Sequence, residues 1–157
     1  MGPCGLGPRG VGEAVARVPD YPHAACAFTE AEGFPSHLRL LNNFEIGGFL
    51  IWRLPCQPVF IDGRLDVYAG RTFHDNLVLS RAGGSRQWAA LVQKYDLDCV
   101  LTTSSREARA FAADPQWQLV YADARHGHRP RCRILLRRRP QFAALTAKCL
   151  RDCPLPP

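Results

Sequence analysis

An alternation of short apolar segments with segments of helical spacing is the feature that most constrains the fold of this chain. The clearest predicted strand is 59–61, because it is β-branched and aromatic and is bounded by proline and Asp-Gly. The order strand, helix, strand, helix and closing hairpin favours an α/β sandwich. We therefore predict an α/β fold, a three-layer-like sandwich with a small partly parallel sheet and a C-terminal β-hairpin.

The element boundaries follow from periodicity, caps and breakers. Segment 44–54 is ambiguous between helix and strand because its apolar content is nearly continuous. Ser85 is a predicted N-cap, and Ser104 or Ser105 caps a further helix that has Glu107 in its first turn. The predicted strands are 38–41, 59–61, 98–103, 117–121 and 132–136, and the predicted helices are 21–32, 71–81, 85–95, a segment ending at 113, and 141–151.

The chain has 157 residues, a length that fits one domain. Because glycine and proline cluster towards the two ends, we predict a disordered leader over 1–19 and a disordered tail over 152–157, with a single α/β domain over 20–151. The purely apolar runs extend over only a few residues, whereas a membrane-spanning helix needs about 20. We therefore expect no membrane-spanning segment in this chain.

The positive charge of the chain comes almost entirely from arginine. The net charge is +6, and only two of the 20 basic residues are lysines. The run 125–139 holds seven arginines and could form a basic stripe for RNA or acidic lipid. Because no nucleic-acid motif or stacking platform accompanies the run, a solvated face is the favoured interpretation, and no specific nucleic-acid partner is predicted.

The seven cysteines are irregularly spaced and include no CxxC pair, so a zinc-ribbon or thioredoxin-type site has no support. Cys26, Cys56 and Cys99 have apolar neighbours and are predicted to be small buried residues. Cys149 and Cys153 would share one helix face, where a bridge or a metal pair is the alternative to a frayed tail. The redox compartment stays undecided.

A second set of metal-ligand residue types is the string of His126, His128 and Cys132. Four arginines crowd the same loop and would repel a cation, so zinc binding is disfavoured there. We predict neither a cofactor nor a bound metal.

The candidate ligand site lies at 42–71, where three acids and three arginines accompany a Gly-Gly pair. Two of its acids follow the predicted strand 59–61, and ligands collect beyond the carboxyl ends of strands in open α/β sheets. Carboxylates there can hold a metal or act as an acid or base. Each charged residue also has a structural interpretation, as a turn former, an ion-pair partner or solvated surface, and the glycines could serve close packing. The candidate ligand-binding residues are Glu45, Gly47, Gly48, Arg53, Asp62, Gly63, Arg64, Asp66, Tyr68 and Arg71.

One enzyme class is disfavoured by the residues themselves. Phosphatases and phosphomutases with an aspartyl nucleophile use a strand followed by Asp-x-Asp. Arg64 stands two positions after Asp62, so the second carboxylate, which would protonate the leaving group, is missing.

A longer pattern resembles a known family. The stretches NNFEIGGFLIWRLP and PVFIDGRLDVY, with W…L..Y..D.VL and P.W.LVY.D downstream, resemble the soluble C-terminal region of uncharacterised bacterial polytopic membrane proteins of the glycosyltransferase type. The resemblance covers about residues 20–137. The matching residues are Asn43, Phe44, Gly47, Gly48, Phe49, Leu50, Ile51, Trp52, Asp62, Gly63, Arg64, Asp66, Tyr68, Trp88, Leu91, Tyr95, Asp98, Pro115, Trp117, Tyr121 and Asp123.

A weaker likeness extends to the catalytic subunits of oligosaccharyltransferases. These carry a W-W-D-Y-G motif at the start of their extracytoplasmic domain, followed by a strand ending in Asp-Gly. Residues 44–48 occupy the corresponding place, without tandem tryptophans and with Glu45 where that motif has Asp. The catalytic carboxylates of those enzymes lie in their membrane part.

These resemblances imply an accessory or recognition module of a membrane glycosyltransferase-like protein, not catalytic alone. The implied partners are a transmembrane domain or subunit and a lipid-linked sugar or acceptor. The implied location is the extracytoplasmic face of a membrane, and without the resemblance we expect a cytoplasmic protein. Two alternatives stay open: a stand-alone metal-dependent enzyme for phosphoryl or glycosyl transfer that uses Asp62 and Asp66, and a purely structural interaction domain.

Overall fold

A computed structural model describes residues 21–64, 66–68, 70–81, 83–123 and 132–152. These residues form a four-stranded mixed sheet with helices packed on both of its faces, which confirms the predicted α/β sandwich. The leader predicted over 1–19 and most of the predicted tail lie outside the described residues. None of the helices in the described part of the chain is long and apolar enough to span a membrane.

The bounds of the elements agree closely with the sequence periodicity. The helices are α1 (His23–Ala31), α2 (Gly47–Arg53), α3 (Arg71–Arg81), α4 (Arg86–Lys94), α5 (Ser105–Ala112) and α6 (Ala143–Asp152), with 3-10 turns at Phe44–Ile46 and Pro140–Phe142. The strands are β1 (Leu40–Asn42), β2 (Cys99–Thr102), β3 (Trp117–Ala122) and β4 (Arg133–Arg137).

The sheet has the strand order β1-β2-β4-β3. β1 and β2 are parallel, with Leu41 beside Val100. β4 runs antiparallel to both β2 and β3, so the predicted C-terminal hairpin is confirmed. The carboxyl ends of β1 and β2 therefore lie together at one edge of the sheet, and their amino ends meet the carboxyl end of β4 at the other edge.

Alternating side chains of the strands form two separate cores, one on each face of the sheet. Leu40 and Leu101 face α1, α2 and α6. Leu41, Val100 and Leu135 face α3, α4 and α5. Because both faces are covered, β1 and β2 carry consecutive buried apolar residues, Leu40-Leu41 and Cys99-Val100-Leu101, as is expected for a parallel pair buried on both sides. Each strand ends in a buried polar residue, Asn42 or Thr102.

The prediction of a buried strand at 59–61 is wrong. Val59 makes only a single parallel bridge to β1. The side chain of Asn42 supplies further bonds: its Oδ1 accepts from the backbone N–H of Phe60 over 2.9 Å, and its Nδ2 donates to the carbonyl of Ile61 over 2.7 Å. A side-chain amide therefore holds this extended segment at the outer side of β1.

The helix caps agree with the sequence. The hydroxyls of Ser85 and Ser104 accept hydrogen bonds from the backbone N–H groups of Trp88 and Glu107, at 3.1 and 3.2 Å. Ser104, rather than Ser105, is therefore the cap of α5. The ambiguous segment 44–54 is helical, a 3-10 turn followed by α2.

The cysteine predictions have different outcomes. Cys26 and Cys99 are buried free thiols, and burial raises the pKa of Cys26 to about 12. Cys56 is half-buried and takes part in a disulfide, so the prediction of a buried residue is wrong for it. Cys149 is buried. Cys153, and the two histidines of the string at which zinc binding was disfavoured, lie outside the described residues.

Candidate functional site

The Gly47-Gly48 pair at the start of α2, called here the twin glycines, contacts the turn at 62–64, called here the Asp62 turn. A Cβ atom added to Gly47 would lie 2.0 Å from the carbonyl oxygen of Ile61 and 2.7 Å from Cα of Asp62. Only glycine permits this approach without a shift of the backbone. The first turn of α2 and the turn after 59–61 therefore form one continuous surface.

Asp62 is the fixed centre of this surface. The residue is 1 % exposed. Its carboxylate accepts bonds from the backbone N–H of Arg64 at 2.9 Å, from Arg64 Nη2 at 2.6 Å and from the hydroxyl of Tyr68 at 3.0 Å. The hydrogen bonds from Arg64, with that from Tyr68, lower the pKa of Asp62 to about 2. The carboxylate is therefore ionised at neutral pH.

The guanidinium of Arg64 is held by this carboxylate but remains accessible. Its Nε lies 3.0 Å from Asp62 Oδ1, and with the Nη2 bond it forms a two-point fork. The Arg64 side chain is 64 % exposed. Such a fork fixes the plane of the guanidinium, whose Nη1 group takes no part in the bonds to Asp62.

Five other predicted residues do not join this ion pair. They are exposed and hold no bond to the Asp62 carboxylate: Glu45, Gly48, Gly63, Asp66 and Arg71. Arg71 is the first residue of α3, and the position of a Cβ on Gly48 or Gly63 would meet open space.

Arg53 belongs to a different part of the surface. Its guanidinium forms a two-point ion pair with Glu30 of α1, and the Nη2 bond measures 2.6 Å. The pair connects the end of α2 with α1. Glu30 also lines an apolar cavity of about 210 Å³ between the end of α1 and the turn after α2. The structure therefore separates Arg53 from the Asp62 turn.

A buried polar cluster that the sequence analysis missed lies at the carboxyl ends of β1 and β2. Glu107 is 1 % exposed. Its Oε2 accepts bonds from Asn43 Nδ2 and from the Thr102 hydroxyl, both at 2.6 Å. Ser80 of α3 approaches its Oε1 at 3.4 Å. The Glu107 carboxylate of α5 therefore connects β2, α3 and the residue that follows β1.

The sequence contained a partial signal for this cluster. Ser104 and Glu107 match the S-x-x-E capping box, in which the glutamate would bond back to the cap. In the structure the Ser104 hydroxyl accepts the expected hydrogen bond from the backbone N–H of Glu107. The Glu107 side chain does not bond back to Ser104 and instead accepts a hydrogen bond from Asn43. Burial raises the pKa of Glu107, and its three hydrogen bonds oppose that effect. The polar residues that directly follow two parallel strands were the feature that could have revealed the cluster.

Comparisons of the chain with protein-family models, with curated proteins and with solved structures find no match. The resemblance to glycosyltransferase-type membrane proteins therefore stays a hypothesis.

Proposed function

We propose that this chain is a recognition module that binds its ligand at the Asp62 turn and is not catalytic alone. In the setting that the sequence resemblance suggests, the module is an accessory part of a membrane glycosyltransferase-like protein and contacts a sugar-phosphate or an acceptor. A transmembrane domain or subunit would then be its partner, at the extracytoplasmic face of a membrane.

The observation that supports this proposal is the accessible, oriented guanidinium of Arg64. A buried carboxylate fixes one edge of the guanidinium while the side chain stays 64 % exposed. An arginine that is already ordered loses less side-chain entropy on binding an anion than a mobile one does. Its planar donors suit the oxygens of a phosphate or the hydroxyls of a sugar.

The surroundings of Arg64 suit a ligand of this kind. Arg71 is exposed at the start of α3 and adds a second positive charge near the turn in sequence. Gly48 and Gly63 leave open space where side chains would otherwise stand. Tyr68 presents a half-buried ring beside the ion pair, and its hydroxyl is bonded to Asp62. Two charges and an aromatic ring are a usual basis for recognising a phosphorylated sugar.

The alternative of a metal-dependent enzyme is supported less well by this geometry. Both carboxylate oxygens of Asp62 already accept bonds from Arg64, and a cation at Asp62 would have to displace that guanidinium. Asp66, the second residue of that hypothesis, is exposed and holds no bond to the pair. Among the described residues, no three His, Cys, Asp or Glu side chains are grouped as metal ligands.

The proposal is tested by titrating the full chain with glucose 1-phosphate, mannose 1-phosphate and N-acetylglucosamine 1-phosphate. Binding is detected in NMR spectra from the backbone amide and arginine Nε signals. We expect shifts at Gly48, Gly63 and Arg64. Arg71→Ala should weaken binding about tenfold to a hundredfold, the range for one lost hydrogen bond to a charged group. Arg86→Ala removes the same charge from an exposed position on α4 and is the matched control.

Two results would contradict the proposal. One is the absence of shifts at the Asp62 turn with all three sugar phosphates at millimolar concentration. The other is an equal loss of affinity in Arg71→Ala and Arg86→Ala, because that would show an unspecific attraction between charges rather than a site.

A further inference from the structure

The topology divides the arginine-rich run of the sequence between two ends of the molecule. Arg133 starts β4 and approaches the Ser105 hydroxyl at 3.2 Å. Arg137, Arg138 and Arg139 lie at and after the other end of β4, beside the start of β2. Because β1 is parallel to β2, Arg39 before β1 reaches the same place. Four arginines from two distant parts of the chain therefore converge there.

Two aspartates hold three of these arginines in place. Asp98 is 2 % exposed and lies 2.8 Å from Arg39 Nε and 3.1 Å from Arg139 Nε. Asp96 approaches Arg39 Nη1 at 2.5 Å and Arg137 Nη1 at 3.4 Å, and it also accepts a bond from Arg139 Nη2. The side chains are thus ordered before any ligand arrives.

The backbone of Asp96 is unusual. Its φ is 45°, in the left-handed region, which aspartate adopts more readily than most residues other than glycine. Asp96 directly follows the C-cap of α4, and its carboxylate contacts the arginines. The hydrogen bond from Arg139 lowers the pKa of Asp96, so the carboxylate is ionised at neutral pH.

The cluster keeps an excess of positive charge. Arg39, Arg137, Arg138 and Arg139 contribute four charges, and Asp96 and Asp98 offset two of them, which leaves +2. Arg138 has no acidic partner among the described residues, and its guanidinium donates only to the amide oxygen of Gln118. An open pocket of about 370 Å³ lies among these side chains, lined by Asp96, Gln116, Arg137, Arg138, Arg139, Pro140 and Gln141.

We propose that this pocket binds the phosphate or pyrophosphate group of a small phosphorylated molecule. The Arg138 guanidinium keeps donors that no carboxylate of the described residues occupies, and a guanidinium matches phosphate oxygens in pairs. The net charge of +2 complements a dianion, and the glutamine side chains of the rim can bond to ester oxygens or hydroxyls. The site lies at the opposite end of β1 from the Asp62 turn and does not depend on the function proposed for that turn.

The lining favours a small molecule over a macromolecule. The pocket is open to solvent, and its volume of about 370 Å³ accommodates a phosphate or pyrophosphate group. Its described lining includes no aromatic side chain on which a nucleic-acid base could stack. The exposed large apolar residues of the described chain, Tyr21, Ile51, Val67 and Leu150, are not part of it, so a membrane-inserting side chain is missing there as well.

Calorimetric titration of the full chain with sodium pyrophosphate tests the inference. We expect binding that weakens as salt is added, because the attraction is between charges. Arg138→Ala should lower the affinity about fivefold to tenfold, whereas Arg86→Ala should not. Arg138 is exposed and bonds to no acid, so this variant should keep its fold, which a thermal melt verifies. NMR signals of Arg137, Arg138 and Arg139 should shift with pyrophosphate.

Parallel titrations with oligouridylate and with phosphatidic acid vesicles distinguish the sources of phosphate. Binding of either macromolecule that depends on Arg138, without binding of pyrophosphate, would overturn the small-molecule inference. Pyrophosphate binding that is unchanged in Arg138→Ala, or lost equally in Arg86→Ala, would overturn the assignment of the site to this cluster. The absence of pyrophosphate binding at low salt would overturn it entirely.

Discussion

The side-chain amide of Asn43 donates a 2.6 Å hydrogen bond to the buried carboxylate of Glu107, 64 positions further along the chain. The same amide group accepts from the backbone N–H of Thr103 over 2.8 Å. The residue after β1 is therefore bonded both to the end of β2 and to the first turn of α5. This connection holds together the sheet edge beside which the candidate site lies.

Two substitutions of Glu107 should separate the contribution of its hydrogen bonds to stability from the contribution of its charge. Glu107→Gln keeps an acceptor for Asn43 and Thr102, and its new amide can donate to Ser80. Glu107→Ala removes all of these bonds and leaves buried polar groups unpaired. We expect Glu107→Ala to lower the free energy of unfolding by about 2–4 kcal/mol, and Glu107→Gln to change it by less than about 1 kcal/mol at neutral pH, measured by urea denaturation.

The unmodified protein and Glu107→Gln should differ in how their free energy of unfolding depends on pH. Burial raises the pKa of Glu107 above its ordinary value of 4.5, so the folded state binds this proton more tightly than the unfolded state does. Its contribution to stability therefore declines as the pH rises from 4.5 through the raised pKa. Glu107→Gln should lack this decline. If the free energies of unfolding of the two proteins changed equally between pH 4 and pH 8, the raised pKa of Glu107 would be contradicted.

The Asp62–Arg64 pair should matter for stability much more than an exposed pair does. Arg64→Ala leaves a buried carboxylate with Tyr68 as its remaining side-chain donor, and we expect a larger loss in the free energy of unfolding than Arg53→Ala causes. Arg53→Ala breaks the more exposed pair with Glu30 and should cost about 0–1 kcal/mol. Urea denaturation at neutral pH measures both. Equal losses would mean that burial of Asp62 is unimportant.

Acid should reveal the lowered pKa of Asp62. The ionised carboxylate stabilises the folded state at pH values above the ordinary pKa of 3.8, and this contribution is lost as the pH falls from 3.8 towards about 2. Asp62→Asn removes the titrating group, so the stability of this variant should fall less steeply over that range. Acid titrations of the two proteins, followed by circular dichroism, provide the measurement.

The twin glycines offer a matched pair of substitutions. A Cβ on Gly47 would lie 2.0 Å from the carbonyl of Ile61, so Gly47→Ala should cost about 1–3 kcal/mol by forcing α2 and the turn apart. A Cβ on Gly48 would meet open space within α2, so Gly48→Ala should stabilise the helix by up to about 1 kcal/mol. Thermal unfolding compares the two variants. A neutral Gly47→Ala would disprove the close contact.

Hydrogen exchange should show that Asn42 holds the extended segment before Asp62. In Asn42→Ala the backbone N–H of Phe60 loses its acceptor, and its exchange should become much faster. The N–H of Leu101, within β2, is the internal control because its protection depends on the sheet. An equal acceleration at Phe60 and Leu101 would indicate general unfolding rather than a local release.

Local signals account for the parts of the fold that were predicted correctly. Helix α3 occupies the predicted range 71–81, and Ser85 caps α4, because periodicity and capping depend on neighbours within a few residues. The hairpin of β3 and β4 follows from two apolar segments joined by a polar one. The segment 59–61 has equally good strand composition and still failed, because composition does not tell which neighbour will satisfy the backbone.

The polar contacts likewise divide into those that are local in the sequence and those that join distant residues. The Asp62–Arg64 fork joins residues two positions apart and could be anticipated from the sequence. The carboxylate of Glu107 and the charged cluster around Asp98 could not. Their partners lie 64 and 59 positions away, for Asn43 and Arg39 respectively. Only the pairing of the strands brings those residues within hydrogen-bonding distance.

The amino-acid sequence by itself determined the types of most elements, the cap of α4 and the turn at Asp62, because each depends on backbone preferences and on contacts within a few residues. The tertiary structure alone decided which charged groups are buried, which of them are paired and where positive charge remains in excess. The reason is that burial and ion pairing depend on distances across the sheet, and these exist only once β1, β2 and β4 have assembled.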